Sequence, residues 1–304
     1  MDSQTKRGYL AAGAIILAMI AAAVLLRDKE IIFPEIAALC TGVFLAPKLV
    51  WKDTGPGKFL GLMTLSACLG IVLPTVIPAE LVVLRLVVGC AFTLVCLTVT
   101  GSGLWPMLSA CVLPALMNVT APAYLFSVAA CSLAILLVKQ ALGGFVPVKT
   151  DTDYRSWAVL RPRLTGCLWL LVYALVPCAL HITPLIAPPL FVLFLELYTE
   201  DGKQRGREWR VCLLGVLCCT LGAAAALLFQ YHLGGGPLLA GLVITPLLFA
   251  LLRGFGMYLP PVAALSFLPL ILPAAKLPSY PLFTGITLVL MTVFLRIKRR
   301  RCGN

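Results

Sequence analysis

The chain has 304 residues, of which 61% are hydrophobic and only 12% are charged. Ordinary soluble domains carry about 25% charged residues, so this composition excludes one. The formal net charge of +12 does not require a nucleic acid, because membrane proteins accumulate Lys and Arg in their cytoplasmic loops. The partners that this charge predicts are a lipid bilayer and its anionic headgroups.

Apolar runs follow one another along the whole chain, and most are long enough to cross a bilayer, which takes roughly 17–25 residues. We count twelve, at residues 9–26, 33–51, 58–77, 80–99, 103–118, 121–138, 164–181, 183–198, 211–230, 236–253, 258–275 and 280–297. The first is read as an uncleaved span, because no cleavage pattern leads into a soluble domain. The sequence predicts an all-α, polytopic helical membrane protein with about twelve transmembrane segments.

The distribution of basic residues predicts the orientation. With the N-terminus inside and strict alternation, 20 of the 24 Lys and Arg residues face the cytoplasm, three lie outside and Arg85 lies within a span. This asymmetry follows the positive-inside rule. We therefore predict a multi-pass protein of the plasma (inner) membrane with both termini in the cytoplasm.

A pattern of glycine, aromatic residue and proline occurs twice. Gly101-Ser102-Gly103-Leu104-Trp105-Pro106 is followed by Pro114, and Gly254-Phe255-Gly256-Met257-Tyr258-Leu259-Pro260-Pro261 is followed by Pro269. The alignment extends to other spans and predicts two parallel six-span repeats, at 1–138 and 164–304, joined by a basic cytoplasmic linker at 139–163. Proline- or glycine-interrupted short segments at matching places in two halves are the best sequence pointer to a transport site.

The candidate substrate-binding residues are those of the two broken segments, because prolines free carbonyls and glycine-preceded helix starts present N–H groups to an anion. They are Gly101, Ser102, Gly103, Trp105, Pro106, Gly254, Gly256, Tyr258, Pro260 and Pro261. Close helix packing is the alternative role for any one of these residues.

Two ionisable residues join this set. Arg85 lies five residues beyond Glu80, where it either snorkels to the interface or faces an anion. Glu35 follows Pro34, where it either stabilises a helix start or serves as a proton or coupling-ion site near the outer mouth.

No other chemistry is visible in the sequence. The 12 cysteines include no CxxC pair, and no ligand spacing surrounds His181 and His232. Gly101-Ser102-Gly103 is not a GxSxG nucleophile motif. We expect no metal, no cofactor and no catalytic residue, and hence no enzyme.

The broken segments resemble the HPP family of integral membrane proteins. The resemblance rests on Leu259-Pro260-Pro261-Val262-Ala263-Ala264 and Trp105-Pro106-Met107-Leu108-Ser109-Ala110, and on the second-span segments that begin at Pro34 and Pro184. The family's signature histidine is replaced by Leu259 in the second copy and by Leu104 or Trp105 in the first. The resemblance implies two tandem units and transport of a small anion. The fusaric-acid-resistance type of membrane domain is a rival resemblance.

These features favour a secondary transporter or permease for a small solute, in particular an inorganic or organic anion, with its site between the repeats. The alternatives are a non-catalytic membrane scaffold or accessory subunit and, with less support, an intramembrane enzyme. A homo-oligomer is compatible with either of the first two.

Overall fold

A computed structural model describes residues 3–145, 153–180, 182–199 and 206–302. Part of the predicted linker, 146–152, and His181 lie outside these ranges. The described residues form twelve α-helices and no strand: α1 (Ser3–Leu25), α2 (Glu35–Cys40), α3 (Pro56–Val76), α4 (Val82–Thr100), α5 (Pro106–Met117), α6 (Pro122–Ala141), α7 (Trp157–Ala179), α8 (Pro188–Thr199), α9 (Glu208–Ala225), α10 (Gly236–Phe255), α11 (Pro260–Phe267) and α12 (Tyr280–Cys302).

Several helices continue or are joined by short helical turns. The backbone winds more widely after α2 (Thr41–Leu45) and after α9 (Ala226–His232), and more tightly after α11 (Leu268–Ile271). Separate tight turns lie at Lys29–Ile31, Ala79–Leu81, Thr183–Ile186 and Ala274–Lys276.

Within the described ranges, eight helices are long and apolar enough to cross a membrane, judged by length and composition: α1, α3, α4, α6, α7, α9, α10 and α12. The most apolar stretch of each has only 28% to 56% of its residues buried inside the protein. The exposed remainder is rich in Leu and Val, for example Val95, Leu137 and Leu168. These surfaces suit contact with lipid tails, so the fold is that of a polytopic helical membrane protein.

The other four helices differ from the predicted spans 33–51, 103–118, 183–198 and 258–275, because each helix is only eleven or twelve residues long. They are α2 with its continuation to Leu45, α5, α8, and α11 with its continuation to Ile271. At 1.5 Å per residue they measure about 18 Å, against a hydrocarbon thickness of about 30 Å. Every residue from Glu35 to Leu45 is buried, as is every residue from Pro260 to Leu270.

Each short helix starts at a proline: Pro34 immediately precedes α2, while Pro106, Pro188 and Pro260 are the first residues of the other three. Proline suits this position because the first helical N–H has no partner within the helix. All four prolines are buried, so the chain enters the protein interior before each helix begins. For α2, the backbone N–H of Phe33 meets the sulfur of Met19, six residues or about 9 Å before the end of α1.

The short helices contact one another in a closed order, in which α2 and α8 each pack against both α5 and α11. We call this set the inner ring. The long helices surround it: α3 packs against α5 and α6, α9 packs against α11 and α12, and the pairs α1–α10 and α4–α7 join the two halves of the chain.

Two glycines permit the closest approaches between the long helices and the inner ring. A Cβ on Gly70 of α3 would lie 2.6 Å from the carbonyl oxygen of Cys111 in α5. A Cβ on Gly222 of α9 would collide with the carbonyl oxygen of Ser266 in α11. Backbone cannot yield as a flexible side chain can, so these contacts require glycine.

We expect Gly70→Ala and Gly222→Ala each to lower the free energy of unfolding by about 1–3 kcal/mol, because an added methyl group overpacks a backbone contact. Thermal unfolding in detergent measures the effect. Gly61→Ala on α3 is the matched control: nothing lies within 4 Å of its added Cβ, and alanine favours a helix by about 1 kcal/mol over glycine. Equal melting temperatures for all three variants would contradict the packing argument.

Candidate functional site

The glycine-rich turns of both halves end long helices. Gly101 closes α4 and Gly256 closes α10, and each adopts a left-handed conformation with φ of 62°. Glycine adopts such a φ without steric cost, which explains its presence at both ends. Gly254, by contrast, has no positive φ, and an added Cβ there would meet nothing within 4 Å, so neither the backbone nor the packing requires glycine at that position. The two turns therefore match in backbone geometry at Gly101 and Gly256.

Ser102 lies at the centre of the first turn and is fully buried. Its hydroxyl pairs with that of Thr54 at 2.6 Å and accepts the N–H of Leu104 at 3.2 Å. These bonds fix the path of the chain into α5. The hydroxyl thus has two partners within the protein before any ligand is considered.

Arg163 of α7 contacts this turn. The sequence analysis counted this residue only among the charges of the linker 139–163. Its guanidinium group lies 5.4 Å from the Trp105 ring centre and 4.6 Å from that of Tyr154, and it donates to the carbonyl of Ser102 at 3.4 Å. Such contacts between a guanidinium group and aromatic faces are attractive. The arginine therefore ties the start of the second half to the broken segment of the first.

Asp53 lies on the other side of the turn, in the loop between the α2 continuation and α3. Burial raises the pKa of this carboxyl group, while hydrogen bonds from its own N–H and that of Gly103, and the charges of Arg163 and Lys58, oppose the rise. The Lys58 ammonium group donates to the carbonyl of Thr100 at 2.5 Å. The turn is thus surrounded by charges of both signs.

Arg85 is only 2% exposed and does not extend to the surface. Its guanidinium group donates to the carbonyl of Ile77 at 2.6 Å, to that of Ala115 at 2.5 Å and to the side-chain oxygen of Asn118 at 2.7 Å. Ile77 and Asn118 directly follow α3 and α5, and Asn118 has a positive φ of 56°. Arg85 therefore satisfies carbonyls where two helices end.

Replacing Arg85 by Met should lower the free energy of unfolding by about 1–3 kcal/mol, because buried carbonyls lose their donors. Lys29→Met, a change at an exposed side chain, should leave it unchanged. Denaturation followed by tryptophan fluorescence compares the two. An unaltered stability of Arg85→Met would show that these bonds contribute nothing to folding.

Glu35 is 1% exposed, at the first position of α2. One carboxylate oxygen, Oε1, accepts a hydrogen bond from the hydroxyl of Ser109 in α5. The other, Oε2, is buried and has no hydrogen-bond partner among the residues that the structure describes. The contact joins two helices of the inner ring across 74 positions of sequence.

Two cavities lie at opposite ends of α8 and α11. The lysine cavity, of about 340 Å³, is lined by Lys48, Lys52, Leu193, Glu196, Tyr258 and Pro260, among others. The Asn118 cavity, of about 350 Å³, is lined by Asn118, Ala187, Pro188, Leu268, Lys276 and Tyr280, among others. Each is bordered by both halves of the chain.

Ten of the twelve predicted site residues fall into four places, and the other two, Gly254 and Gly256, lie at the end of α10. Tyr258 and Pro260 line the lysine cavity, and the hydroxyl of Tyr258 pairs with that of Tyr9 at 3.0 Å. Trp105 and the first glycine turn contact Arg163. Pro106 and Pro261 lie buried in the inner ring, as does Glu35, whereas Arg85 bonds to helix ends. Sequence reasoning did not single out Arg163, Lys48 or Lys52, because the residues around them come from distant segments of the chain.

In the described part of the chain, no group of three or more His, Cys, Asp or Glu side chains could hold a metal ion. Comparisons with family models, curated proteins and solved structures find no match for the chain. Its resemblance to the HPP family therefore remains a prediction from the motifs.

Proposed function

We propose that the protein is a secondary transporter or permease for a small solute, with an anion favoured, and that the solute passes through the inner ring. The observation that carries this proposal is the position of the two cavities at opposite ends of the same buried short helices. Solute sites in transporters are typically formed by broken helices at the boundary between repeats.

Little protein separates the two cavities. On α8, Pro188 lines one and Leu193 lines the other, five residues or about 8 Å apart. The intervening Leu190, Phe191 and Val192 are buried. A small displacement of α8 or α11 would open this barrier to one cavity or to the other. Alternating access requires such a change.

Matched contacts support two equivalent units. Tyr124 of α6 donates to the carbonyl of Ala110 in α5 at 3.1 Å, and Tyr280 of α12 donates to that of Leu265 in α11 at 2.9 Å. The Gly70 and Gly222 approaches correspond in the same way. We accordingly propose two parallel repeats, with the chain beside each short helix completing its crossing to give twelve.

The charge at the lysine cavity supports an anion. Lys48 and Lys52 line it together with Glu196, and by the predicted orientation it opens to the cytoplasm. A cleft dominated by one sign of charge raises the local concentration of counter-ions. The same orientation assigns the Asn118 cavity to the outer face of the plasma membrane.

Thermal unfolding of the purified protein with chloride, nitrate, phosphate, sulfate, small cations and neutral solutes tests binding. A ligand at 100 times its dissociation constant should stabilise the fold by about 2.7 kcal/mol. The anion with the largest saturable shift is then tested for uptake into liposomes. Neither shift nor uptake for any solute would contradict a transporter and favour the accessory-subunit alternative.

Removing both cavity lysines tests the route. Lys48→Gln combined with Lys52→Gln should lower initial anion uptake at low ionic strength by up to about tenfold, because the local anion concentration falls. Added salt should reduce the difference in initial uptake between the wild type and the double variant. Lys29→Gln, in the turn between α1 and α2, is the control. Equal uptake by the double variant and the control would rule out the lysine cavity as the route.

A further inference from the structure

Glu35 is the buried acid whose surroundings differ most from those of a structural ion pair. Glu208, the comparison within this chain, is also buried at 3% exposure. Its Oε1 accepts hydrogen bonds from Arg299 and from the N–H of Gly206, and its Oε2, which has no hydrogen-bond partner in the described residues, lies 3.7 Å from Arg296. Glu35 also has one carboxylate oxygen without a hydrogen-bond partner in the described residues, but its other oxygen bonds to the neutral hydroxyl of Ser109 and not to an arginine.

The elements packed against α2 bring no described basic side chain within ion-pair distance of Glu35. These elements are α1, α5, α6 and α11. Tyr124 of α6 lies near Glu35 and near Cys111 of α5, and Cys131 of α6 lies near Cys40 of α2. None of these hydroxyl and thiol side chains can carry a positive charge. Residues 10–25 of α1 and 260–267 of α11 contain no titratable side chain, and the titratable residues of α1 are Lys6, Arg7 and Tyr9 near its start.

A buried carboxylate without a counter-charge costs several kcal/mol. A divalent cation would relieve this cost with several oxygen ligands around it, and the described residues include no group of three or more His, Cys, Asp or Glu side chains that could hold a metal ion. A bound proton needs only the free Oε2 atom. The geometry therefore favours a proton as the species that neutralises Glu35.

The place of Glu35 in the inner ring links this proton to the proposed route. It begins α2, which packs against α11, and α11 with its continuation contributes Pro260 to one cavity and Leu268 to the other. The aligned second-half positions, Leu185 and Ala264, are apolar. The second half therefore has no equivalent acid at these two aligned positions.

We infer that Glu35 binds and releases the proton that is co-transported with the anion, an inference that rests on the proposed function. A hydronium ion from the outer side gives its proton to Oε2 and leaves as water, and the Ser109 hydroxyl holds Oε1. When the anion is also bound, the proton and the anion cross the barrier together, with less net charge than the anion alone. On the cytoplasmic side the proton passes back to water.

Infrared spectroscopy in an ester-free detergent tests proton binding without any substrate. The carbonyl-stretch band of protonated carboxyl groups should lose intensity in Glu35→Gln and should not change in Glu80→Gln, an exposed acid on the predicted outer side. Both variants should elute and melt as the wild type does. An unchanged band in Glu35→Gln would overturn the inference.

Flux into liposomes that contain a trapped pH dye tests the coupling, with chloride, nitrate, phosphate and sulfate as probes. Wild-type protein should acidify the interior when the transported anion is added outside. Glu35→Gln should lose this proton flux but retain exchange of labelled anion. Glu35→Asp, which keeps the acid, should retain proton flux at a reduced rate.

The outcomes separate the two proposals. Anion exchange without proton flux in the wild type, or proton flux that persists in Glu35→Gln, would overturn the role of Glu35 and leave the transporter intact. Absence of both anion exchange and proton flux in the wild type would overturn both. If Glu35→Gln loses exchange as well, proton flux in Glu35→Asp supports the inference, and its absence there contradicts it.

Discussion

Backbone N–H and C=O groups find no water in the hydrocarbon of a bilayer, and each must find a partner within the protein. The inner ring depends on this constraint more than any other part of the structure. Four helices of about 18 Å cannot satisfy the backbone on either side of them by helical bonds alone. In the structure these four helices are largely buried, and long helices such as α3 and α9 pack against them.

Side chains from the long helices supply partners for the exposed carbonyls. Arg85 bonds to the carbonyls of Ile77 and Ala115, and Ser127 bonds to that of Ile31, just before α2. Beyond α11, Gln230 and Tyr231 donate to the carbonyls of Leu270 and Leu272. The hydroxyl groups of Thr41 and Ser66 and the Oε2 atom of Glu35 are buried without a hydrogen-bond partner in the described residues. Of these three side chains, Glu35 alone carries an ionisable group.

The short helices also differ from the long ones in how they join the rest of the chain. A long helix is held along its whole length by lipid and neighbours, whereas a helix that starts at a proline is joined to the rest by irregular chain. Such joints are where φ and ψ changes are absorbed when elements move. At Gly70 and Gly222, the long helices α3 and α9 lie in close contact with α5 and α11.

Local signals in the sequence determined much of this architecture. The apolar runs predicted a helical membrane protein, and Pro34, Pro106, Pro188 and Pro260 marked where the short helices start, because proline suits the first turn of a helix. Proline alone does not end a helix in this chain, since prolines lie inside four of its helices: Pro74 in α3, Pro114 in α5, Pro162 and Pro177 in α7, and Pro246 in α10. Hydropathy could not distinguish a full span from a short buried helix, since both are apolar. That distinction came from the burial of the four short helices on all sides.

Which polar groups meet was decided only by the tertiary structure. Ser109 reaches Glu35 across 74 residues and Arg163 reaches Ser102 across 61, and no local spacing encodes such pairs. The sequence context of Arg85 allowed either snorkelling or an anion-facing role, and only the structure shows its hydrogen bonds to the carbonyls of Ile77 and Ala115. The hydrophobicity of each segment is a local property, so the sequence determines which residues leave water. The partner of a buried polar group depends on which distant segments pack beside it, so only the tertiary structure determines it.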